Sequence, residues 1–251
     1  MQDRATQALV KLAIEPEWEA RFEENSYGFR PGRSCHDAIE AIFNGIRYKS
    51  KYVLDADISK CFDRINHEKL LEKVNTFPKI RRQLRAWLKA GILDGEKTIF
   101  PTEGTPQGGI CSPLLANIAL HGMEKRIKDY AATWKGTKKE NIRSISLIRY
   151  ADDFVILHKD LTIIKSCQKI LTDWLAELGL ELNKEKTKII HTLNDGFDFL
   201  GFNIRQHPVG KYQSGKDPHR HILGFKTLIK PSKEKRNSSC FKSRSVTIER
   251  R

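Results

Sequence analysis

Three acidic residues, Asp57, Asp152 and Asp153, carry the clearest chemical signal in this sequence. Asp57 ends an alternating apolar and polar stretch, and the other two lie side by side between two apolar stretches. Clustered carboxylates repel one another unless a cation neutralises them, and their hard oxygen atoms favour Mg²⁺. These residues therefore suit two-metal phosphoryl transfer, in which ions about 3.5–4 Å apart activate a 3′-hydroxyl and stabilise a leaving pyrophosphate. The alternative, that the aspartate pair only marks a hairpin turn, would be preferred for an isolated pair.

The elements around these acids predict that they meet. Residues 51–58 alternate as a strand. One face of that strand would carry Tyr52, Leu54, Ala56 and Ile58, and the other Val53, Asp55 and Asp57. Residues 144–149 and 154–158 are interpreted as two more strands, with Tyr150–Asp153 at the tip of their hairpin. If this hairpin pairs beside the first strand, the spacing of about 5 Å between strands lets the carboxylates converge.

The rest of the pattern predicts an α+β chain in which a small antiparallel sheet is backed by helices. Helices are expected over 5–14 with an end near Pro16, from the N-cap Ser34, after Asn66, from Pro78 to Gly91, from Ser112 and Pro113 to about Tyr130, and over 161–178. Further strands are expected over 180–182, 187–192 and 197–204, and polar connections over 25–32, 104–109 and 134–141. The pattern weakens after Gly210, and no structure is predicted for 230–251.

Composition and charge narrow the function classes. The 251 residues are 39% hydrophobic, and no apolar run approaches the roughly 18 residues of a membrane helix. The five cysteines are far apart without a CxxC pair, which argues against a disulfide framework or a cysteine zinc site. Net charge is +14, and residues 205–251 contribute 13 basic and 3 acidic side chains. Such a tail suits a polyanionic partner, nucleic acid first, or is simply a solvated segment.

Six stretches resemble the motifs of reverse transcriptases and occur in the order of that family over about residues 5–205. They are NSYGFRPGR at 25–33, VLDADISKCFD at 53–63, TPQGGICSP at 105–113, YADD at 150–153, LELNKEKTK at 180–188 and FLGF at 199–202. The first is typical of the group II intron-encoded branch. A YxDD box alone would be weak evidence, whereas the ordered set is highly specific.

The resemblance implies a role for each matching residue of the catalytic centre. Asp57, Asp152 and Asp153 would be metal ligands, and the backbone carbonyl of Ile58 would contact one ion. Lys186, or less favourably Lys184, would donate a proton to the pyrophosphate; the alternative is a solvated lysine. Asp55 could be a fourth ligand, but it is interpreted as a supporting or solvent-facing residue, because the family spacing from the metal-binding aspartate to the following aromatic residue fits Asp57 and Phe62.

The resemblance also implies contacts with nucleotide and nucleic acid. Phe62 would lie under the incoming sugar and exclude a 2′-hydroxyl, and Gln107 would contact the incoming nucleotide or the template. Their alternatives are a core aromatic and a turn glutamine. Primer or template contacts are expected for Tyr150, Leu200, Gly201 and Arg30, although a buried turn explains the middle two equally well and surface arginines are common.

As a whole, the resemblance implies an RNA-directed DNA polymerase domain of a group II intron-encoded protein. Residues 1–50 would be partial fingers, 51–205 the palm, and 206–251 a basic tail that starts a truncated maturase or thumb region, without a complete thumb. Two Mg²⁺ ions, with Mn²⁺ as an alternative, an RNA template, a DNA primer, dNTPs and group II intron RNA are the expected partners, and no membrane. The expected location is the bacterial cytoplasm, and an organellar origin stays open. The other readings are a non-enzymatic, intron-RNA-binding splicing cofactor (maturase) and an inactive truncated remnant.

Overall fold

The computed structural model describes residues 2–90, 92–94, 97–99, 103–105, 109–233 and 235. Its helices are α1 (Gln2–Glu19), α2 (Cys35–Ile46), α3 (Cys61–Arg64), α4 (His67–Val74), α5 (Pro78–Leu88), α6 (Ser112–Leu120), α7 (Met123–Ala131), α8 (Lys138–Ser144) and α9 (Leu161–Glu177). Its strands are β1 (Tyr52–Ser59), β2 (Ile92–Asp94), β3 (Lys97–Ile99), β4 (Ser146–Tyr150), β5 (Asp153–His158), β6 (Glu181–Leu182), β7 (Lys188–His191), β8 (Phe197–Phe199), β9 (Phe202–Pro208) and β10 (Phe225–Pro231). The predicted α+β class is confirmed, and none of the helices in these ranges is long and apolar enough to cross a membrane.

The central sheet is antiparallel and has the strand order β4, β5, β1, β6, with β7 also paired to β1. β5 lies along one side of β1, and β6 and β7 share the other side at its two ends. In this register Asp57 is directly opposite Asp153. The prediction that the acidic hairpin pairs beside the Asp57 strand is therefore confirmed.

Successive side chains of β1 point alternately to two hydrophobic cores on opposite faces of the sheet. Leu54, Ala56 and Ile58 are buried in a larger core that they share with helices α1, α4, α5, α6, α7 and α9. Val53 points to a smaller core, which is formed with α2 and with the three-stranded sheet β10–β9–β8. Since side chains two residues apart share a face, Asp57 lies on the side of the smaller core. The helices thus fix one face of the sheet, and α2 with the second sheet fixes the other.

Helix α2 follows its predicted start closely. The Ser34 side chain accepts a hydrogen bond from the Asp37 backbone, and the Asp37 carboxylate accepts one from the Ser34 backbone, which completes a capping box. The buried residues Ala38, Ile39, Ile42 and Ile46 form one apolar stripe. This stripe packs between the two sheets and holds them together.

Several predicted boundaries are wrong for identifiable reasons. Helix α1 continues through Pro16 to Glu19. Burial of the Trp18 side chain stabilises the last helical turn, although proline lacks the N–H that would donate a helical hydrogen bond. The helix expected from Ser112 to Tyr130 breaks after Leu120, where Gly122 has a φ of 97°. It also begins without a side-chain cap, since Cys111 rather than Ser112 is the N-cap residue.

The other differences concern short elements. The expected polar connection at 134–141 contains the start of α8. The expected strand over 197–204 is two strands, because the chain reverses at Leu200 and Gly201, both with positive φ. Strand β10 lies in the region where the sequence pattern had weakened, and it pairs along its whole length with β9.

Candidate active site

The three acidic residues lie at one end of the β1–β5 pair. Asp57 and Asp153 are cross-strand partners, and Asp152 precedes Asp153 in the turn between β4 and β5. The backbone of this turn is tied to β1, because the Ile58 amide donates to the Asp152 carbonyl at 3.3 Å. The side chain of Ile58 itself is buried in the larger core. The structure therefore places the three acidic residues that the sequence singled out at the same end of the β1–β5 pair.

Three carboxyl groups in and near this acidic site have raised pKa values. Burial, followed by the charges of Asp152 and Asp57, raises the pKa of Asp153 to about 6. Burial, with a further contribution from Asp57, also raises the pKa of Asp152. On the same strand face, burial and the charge of Asp153 raise the pKa of Asp55 to about 7. Burial is the largest cause of each shift, and neighbouring carboxylates add to it; a bound cation would favour the ionised form of these groups.

Asp57 already has a cationic partner in this structure. Lys186 Nζ lies 2.8 Å from Asp57 Oδ2, although the lysine side chain is 67% exposed and the aspartate side chain only 12%. The hydrogen bond and the charge of Asp57 raise the pKa of Lys186. Lys186, a sequence candidate for proton donation, is thus at the acidic site. Its role as a proton donor stays a prediction, and so does its alternative as a solvated lysine.

Asn183 is a site residue that the sequence reasoning missed. Its side-chain amide donates to Asp57 Oδ2 at 3.3 Å, and its backbone amide donates to the Asp57 carbonyl at 2.8 Å. Its side-chain oxygen accepts from the backbone amides of Glu185 and Lys186, which shapes the turn between β6 and β7. The available signal was an asparagine at the start of a turn, directly after an apolar strand.

The donor set at this site fits a hard divalent cation. Carboxylate oxygens are the preferred ligands of such ions, and the raised pKa values of Asp152 and Asp153 show that positive charge would be favourable there. Within the part of the chain that the structure describes, no three His, Cys, Asp or Glu side chains converge closely enough to hold an ion. The Lys186 ammonium group lies on Asp57 Oδ2 instead.

The turn that carries Asp152 is held in an unusual conformation. Ala151 has a φ of 58°, a left-handed value that costs a non-glycine residue about 1 kcal/mol. The NH1 group of Arg149 donates to the Ala151 carbonyl at 3.0 Å and to Asn117 Oδ1 at 3.0 Å. The NH2 group of Arg149 donates to Ser26 Oγ at 2.7 Å. Sequence reasoning missed this network, and its only signal was a basic residue inside an otherwise apolar strand.

Phe62 is positioned by a short helix after β1. It is half-buried against the larger core, and its ring makes an edge-to-face contact with Phe29 at a centroid distance of 6.3 Å. The alternative of a core aromatic is therefore partly right, since one side packs inward. Gln107, the other candidate for nucleotide contact, lies outside the described residues.

The candidates for primer and template contact are distributed over three places. Tyr150 is half-buried against the smaller core, and Leu200 and Gly201 form the turn between β8 and β9. The Arg30 guanidinium is buried and donates to the Glu19 carboxylate and to the carbonyls of Glu23 and Ser26. In this conformation Arg30 anchors its own loop, and a contact with nucleic acid stays a prediction.

Comparisons with known proteins agree with this geometry. The family described as reverse transcriptase (RNA-dependent DNA polymerase) matches residues 1–204. Protein YkfC of Escherichia coli (strain K12) is 33% identical in a match that covers 81% of this chain and 61% of YkfC. The group II intron-encoded protein LtrA of Lactococcus lactis subsp. cremoris is 30% identical in a match that covers 99% of this chain and 50% of LtrA.

A solved structure extends the likeness to the fold. An apo telomerase from Candida tropicalis, truncated from its C-terminal domain, superposes with a TM-score of 0.60 at 17% identity, over 92% of this chain and 45% of the telomerase. At this identity the likeness concerns the fold alone. The sequence resemblance to group II intron-encoded proteins is confirmed by the LtrA match. With a family match that covers all six of these motifs in full and the acidic residues at one end of the β1–β5 pair, this chain belongs to the reverse transcriptase family.

Proposed function

We propose that this chain carries the nucleotidyl-transfer site of an RNA-directed DNA polymerase of the group II intron-encoded type. The observation that carries the proposal is the cross-strand pair of Asp57 and Asp153 with Asp152 in the adjoining turn, within a chain of the reverse transcriptase family. The chain spans 61% of YkfC and 50% of LtrA, so the activity of the whole protein is part of the proposal. Residues 51–205 would act as the palm, 1–50 as part of the fingers, and 206–251 as the basic start of a thumb or maturase region.

Asp57, Asp152 and Asp153, with the Ile58 carbonyl, would hold divalent cations, and we propose two Mg²⁺ ions with Mn²⁺ as a substitute. When bound, such ions lower the barrier to attack by a 3′-hydroxyl and neutralise charge on the leaving pyrophosphate. The residues of the chain would orient the primer 3′-oxygen and the α-phosphorus, so that a new P–O bond forms while the bond to the β-phosphate oxygen breaks. Lys186, released from Asp57, would be within reach to protonate the pyrophosphate.

Neighbouring residues would select the nucleotide and hold the nucleic acid. The exposed side of Phe62 would face the sugar of a dNTP and exclude a 2′-hydroxyl, and Gln107 would contact the incoming nucleotide or the template. Tyr150, Leu200 and Gly201 would contact the primer strand. The RNA template would follow the basic surface of the chain, whose net charge of +14 favours a polyanion.

A second candidate function is RNA binding for splicing without synthesis. It is favoured by the similarity of this chain to a group II intron-encoded protein and to a nuclear intron maturase, and by the 13 basic and 3 acidic residues of 205–251. In that case group II intron RNA would be the partner, and the carboxylates would be dispensable. The two candidates differ in their dependence on Asp152.

Primer extension on poly(rA)/oligo(dT) with dTTP and Mg²⁺ tests the proposal, with poly(dA)/oligo(dT) as the template control. The wild-type chain is expected to extend the primer on RNA, and Asp152→Asn to lose that extension without a lower melting temperature. Synthesis that survives in Asp152→Asn would contradict the proposed site. Tight binding of group II intron RNA with no synthesis by the wild-type chain would favour the second candidate.

A further inference from the structure

Arg149 is the centre of a buried hydrogen-bond network that includes the backbone of the acidic turn. The residue is only 1% exposed, and it lies on β4 three positions before Asp152. Its backbone is bonded on both sides to the loop at 25–32, since its amide donates to the Asn25 carbonyl at 2.8 Å and its carbonyl accepts from the Tyr27 amide at 2.9 Å. The side chain and the backbone of one residue therefore fix both this loop and the turn.

The loop at 25–32 is also in close contact with the backbone of the acidic turn, at Gly28. A Cβ atom at Gly28 would lie 2.3 Å from the Ala151 amide nitrogen, so only glycine permits this approach. The Gly28 carbonyl accepts from Asn117 Nδ2 at 2.7 Å, and Asn117 Oδ1 accepts from the Arg149 guanidinium. Asn117 thus joins the loop to Arg149 from the side of α6. The loop at 25–32 and helix α6 are thus both joined to the strand that leads into the left-handed residue Ala151.

The charge of Arg149 also acts on the acidic site. Burial lowers the pKa of Arg149 to about 10, which leaves the guanidinium positively charged at neutral pH. This charge opposes part of the rise in the pKa of Asp152. A buried cation close to an acidic turn, bonded to neutral acceptors, is costly as a purely structural device. Its cost is understandable if it holds and electrostatically supports the residues that bind metal.

We propose that Arg149 is a positioning residue that holds the Ala151 peptide, through its bonds to Asn117 and Ser26, in the conformation that presents Asp152 and Asp153 to a divalent cation. This inference rests on the proposed function, because it assigns a role within the same site. A planar guanidinium is needed, since it bonds Ala151, Asn117 and Ser26 in fixed directions, and the single ammonium group of lysine cannot reproduce that fork. Arg149 is buried and acts through its bond to the turn.

The test measures Mn²⁺ binding by electron paramagnetic resonance on the full chain without nucleic acid, together with the Mg²⁺ concentration that gives half-maximal primer extension. Arg149→Met and Arg149→Lys are expected to weaken Mn²⁺ binding about 10- to 100-fold, as loss of a supporting partner of metal ligands does. High Mg²⁺ is expected to restore part of the extension rate. Ser26→Ala removes only one partner of Arg149 and is expected to weaken Mn²⁺ binding several-fold. If the arginine variants fail to fold, as judged by the absence of a cooperative thermal transition, Ser26→Ala replaces them in the test.

Gln206→Met is the matched control, because Gln206 is 0% exposed and also centres a buried polar network, but away from the turn. It should lower the melting temperature while Mn²⁺ binding stays within twofold of wild type. Folded Arg149 or Ser26 variants that bind Mn²⁺ as tightly as wild type would overturn the positioning role. A wild-type chain that neither binds Mn²⁺ nor extends a primer would instead overturn the proposed function on which it rests.

Discussion

Two buried polar networks stabilise different ends of this molecule. Around Gln206, the side-chain amide donates to the Ile46 carbonyl at 2.7 Å and accepts from Thr192 Oγ1 at 2.5 Å, while the Lys51 amide donates to Thr192 Oγ1 at 3.1 Å. This network is neutral, and it joins the end of α2 to both sheets. Around Arg149, the network is charged, and its Nε atom has no hydrogen-bond partner among the described residues.

The two networks differ in what they do: one stabilises the fold, and the other supports the acidic site. Neutral networks whose groups are satisfied rigidify a core at little electrostatic cost. The Arg149 network lies beside a left-handed alanine and carboxyl groups with raised pKa values, which are unfavourable features in the absence of a ligand. We infer that the Gln206 end is built for stability and the Arg149 end for metal-dependent chemistry.

The largest expected effect is on the rate of synthesis, and it distinguishes two aspartates on the same strand face, Asp57 and Asp55. Asp57→Asn should reduce RNA-templated synthesis by about 10³-fold or more, because phosphoryl transfer depends on electrostatic stabilisation by the metal site. Asp55→Asn is the matched control and should keep the rate within about fivefold of wild type, a factor worth about 1 kcal/mol. Steady-state primer extension measures both, and equal losses in the two variants would remove the distinction between them.

Gln206→Met sharpens the comparison from the stabilising end. Removing the amide leaves the Ile46 carbonyl and Thr192 hydroxyl without this partner, which should lower the free energy of unfolding by about 1–3 kcal/mol. Urea denaturation followed by circular dichroism measures this loss. Extension rate per folded molecule should be unchanged, and a rate that fell along with stability would show that the two ends are coupled.

Asp153→Asn is expected to stabilise the chain at pH 7 when no divalent cation is present. A carboxyl whose pKa is about 6 in the folded chain and 3.8 in the unfolded chain destabilises the fold progressively as pH rises through that window. The gain at pH 7 should be about 1–2 kcal/mol after allowance for solvent screening, and it should shrink towards pH 4. Thermal melts across pH 4–7 would contradict this if the variant were less stable than wild type throughout.

The smallest stability effect is expected for Lys186→Met. The lysine is largely exposed, so loss of its ion pair with Asp57 should change the free energy of unfolding by less than about 0.5 kcal/mol. Mn²⁺ binding without nucleic acid should become several-fold tighter, because a competing cation is gone from Asp57. Lys184→Met serves as the control, and weaker Mn²⁺ binding in Lys186→Met would show that the lysine supports the metal site instead.

Local periodicity explains why much of the fold could be predicted. The alternation of β1, the hairpin and the Ser34 cap depend on residues close in sequence, and all three are confirmed. The continuation of α1 through Pro16 could not be predicted, because it depends on burial of Trp18 against distant residues. Strand β10 is likewise specified by its partner β9 more than by its own sequence.

The candidate site divides in the same way. The placement of Asp57 beside Asp152 and Asp153 could be predicted, because β1 alternates, the acidic pair lies between two apolar stretches, and the motifs are in family order. The Arg149 network could not, since it joins residues up to 123 positions apart through directional hydrogen bonds that leave no periodic pattern. A basic residue in an apolar strand says that a partner must exist, but it does not say which segment supplies it.

The rate of the first dTMP addition to oligo(dT) on poly(rA), measured in a single turnover at saturating Mg²⁺, tests the central claim most directly. The account predicts that wild type adds the nucleotide and that Asp152→Asn, folded and equally stable, does so at least about 10³-fold more slowly. A folded Asp152→Asn chain that adds dTMP within threefold of the wild-type rate would contradict the claim that the acidic turn is the site of synthesis.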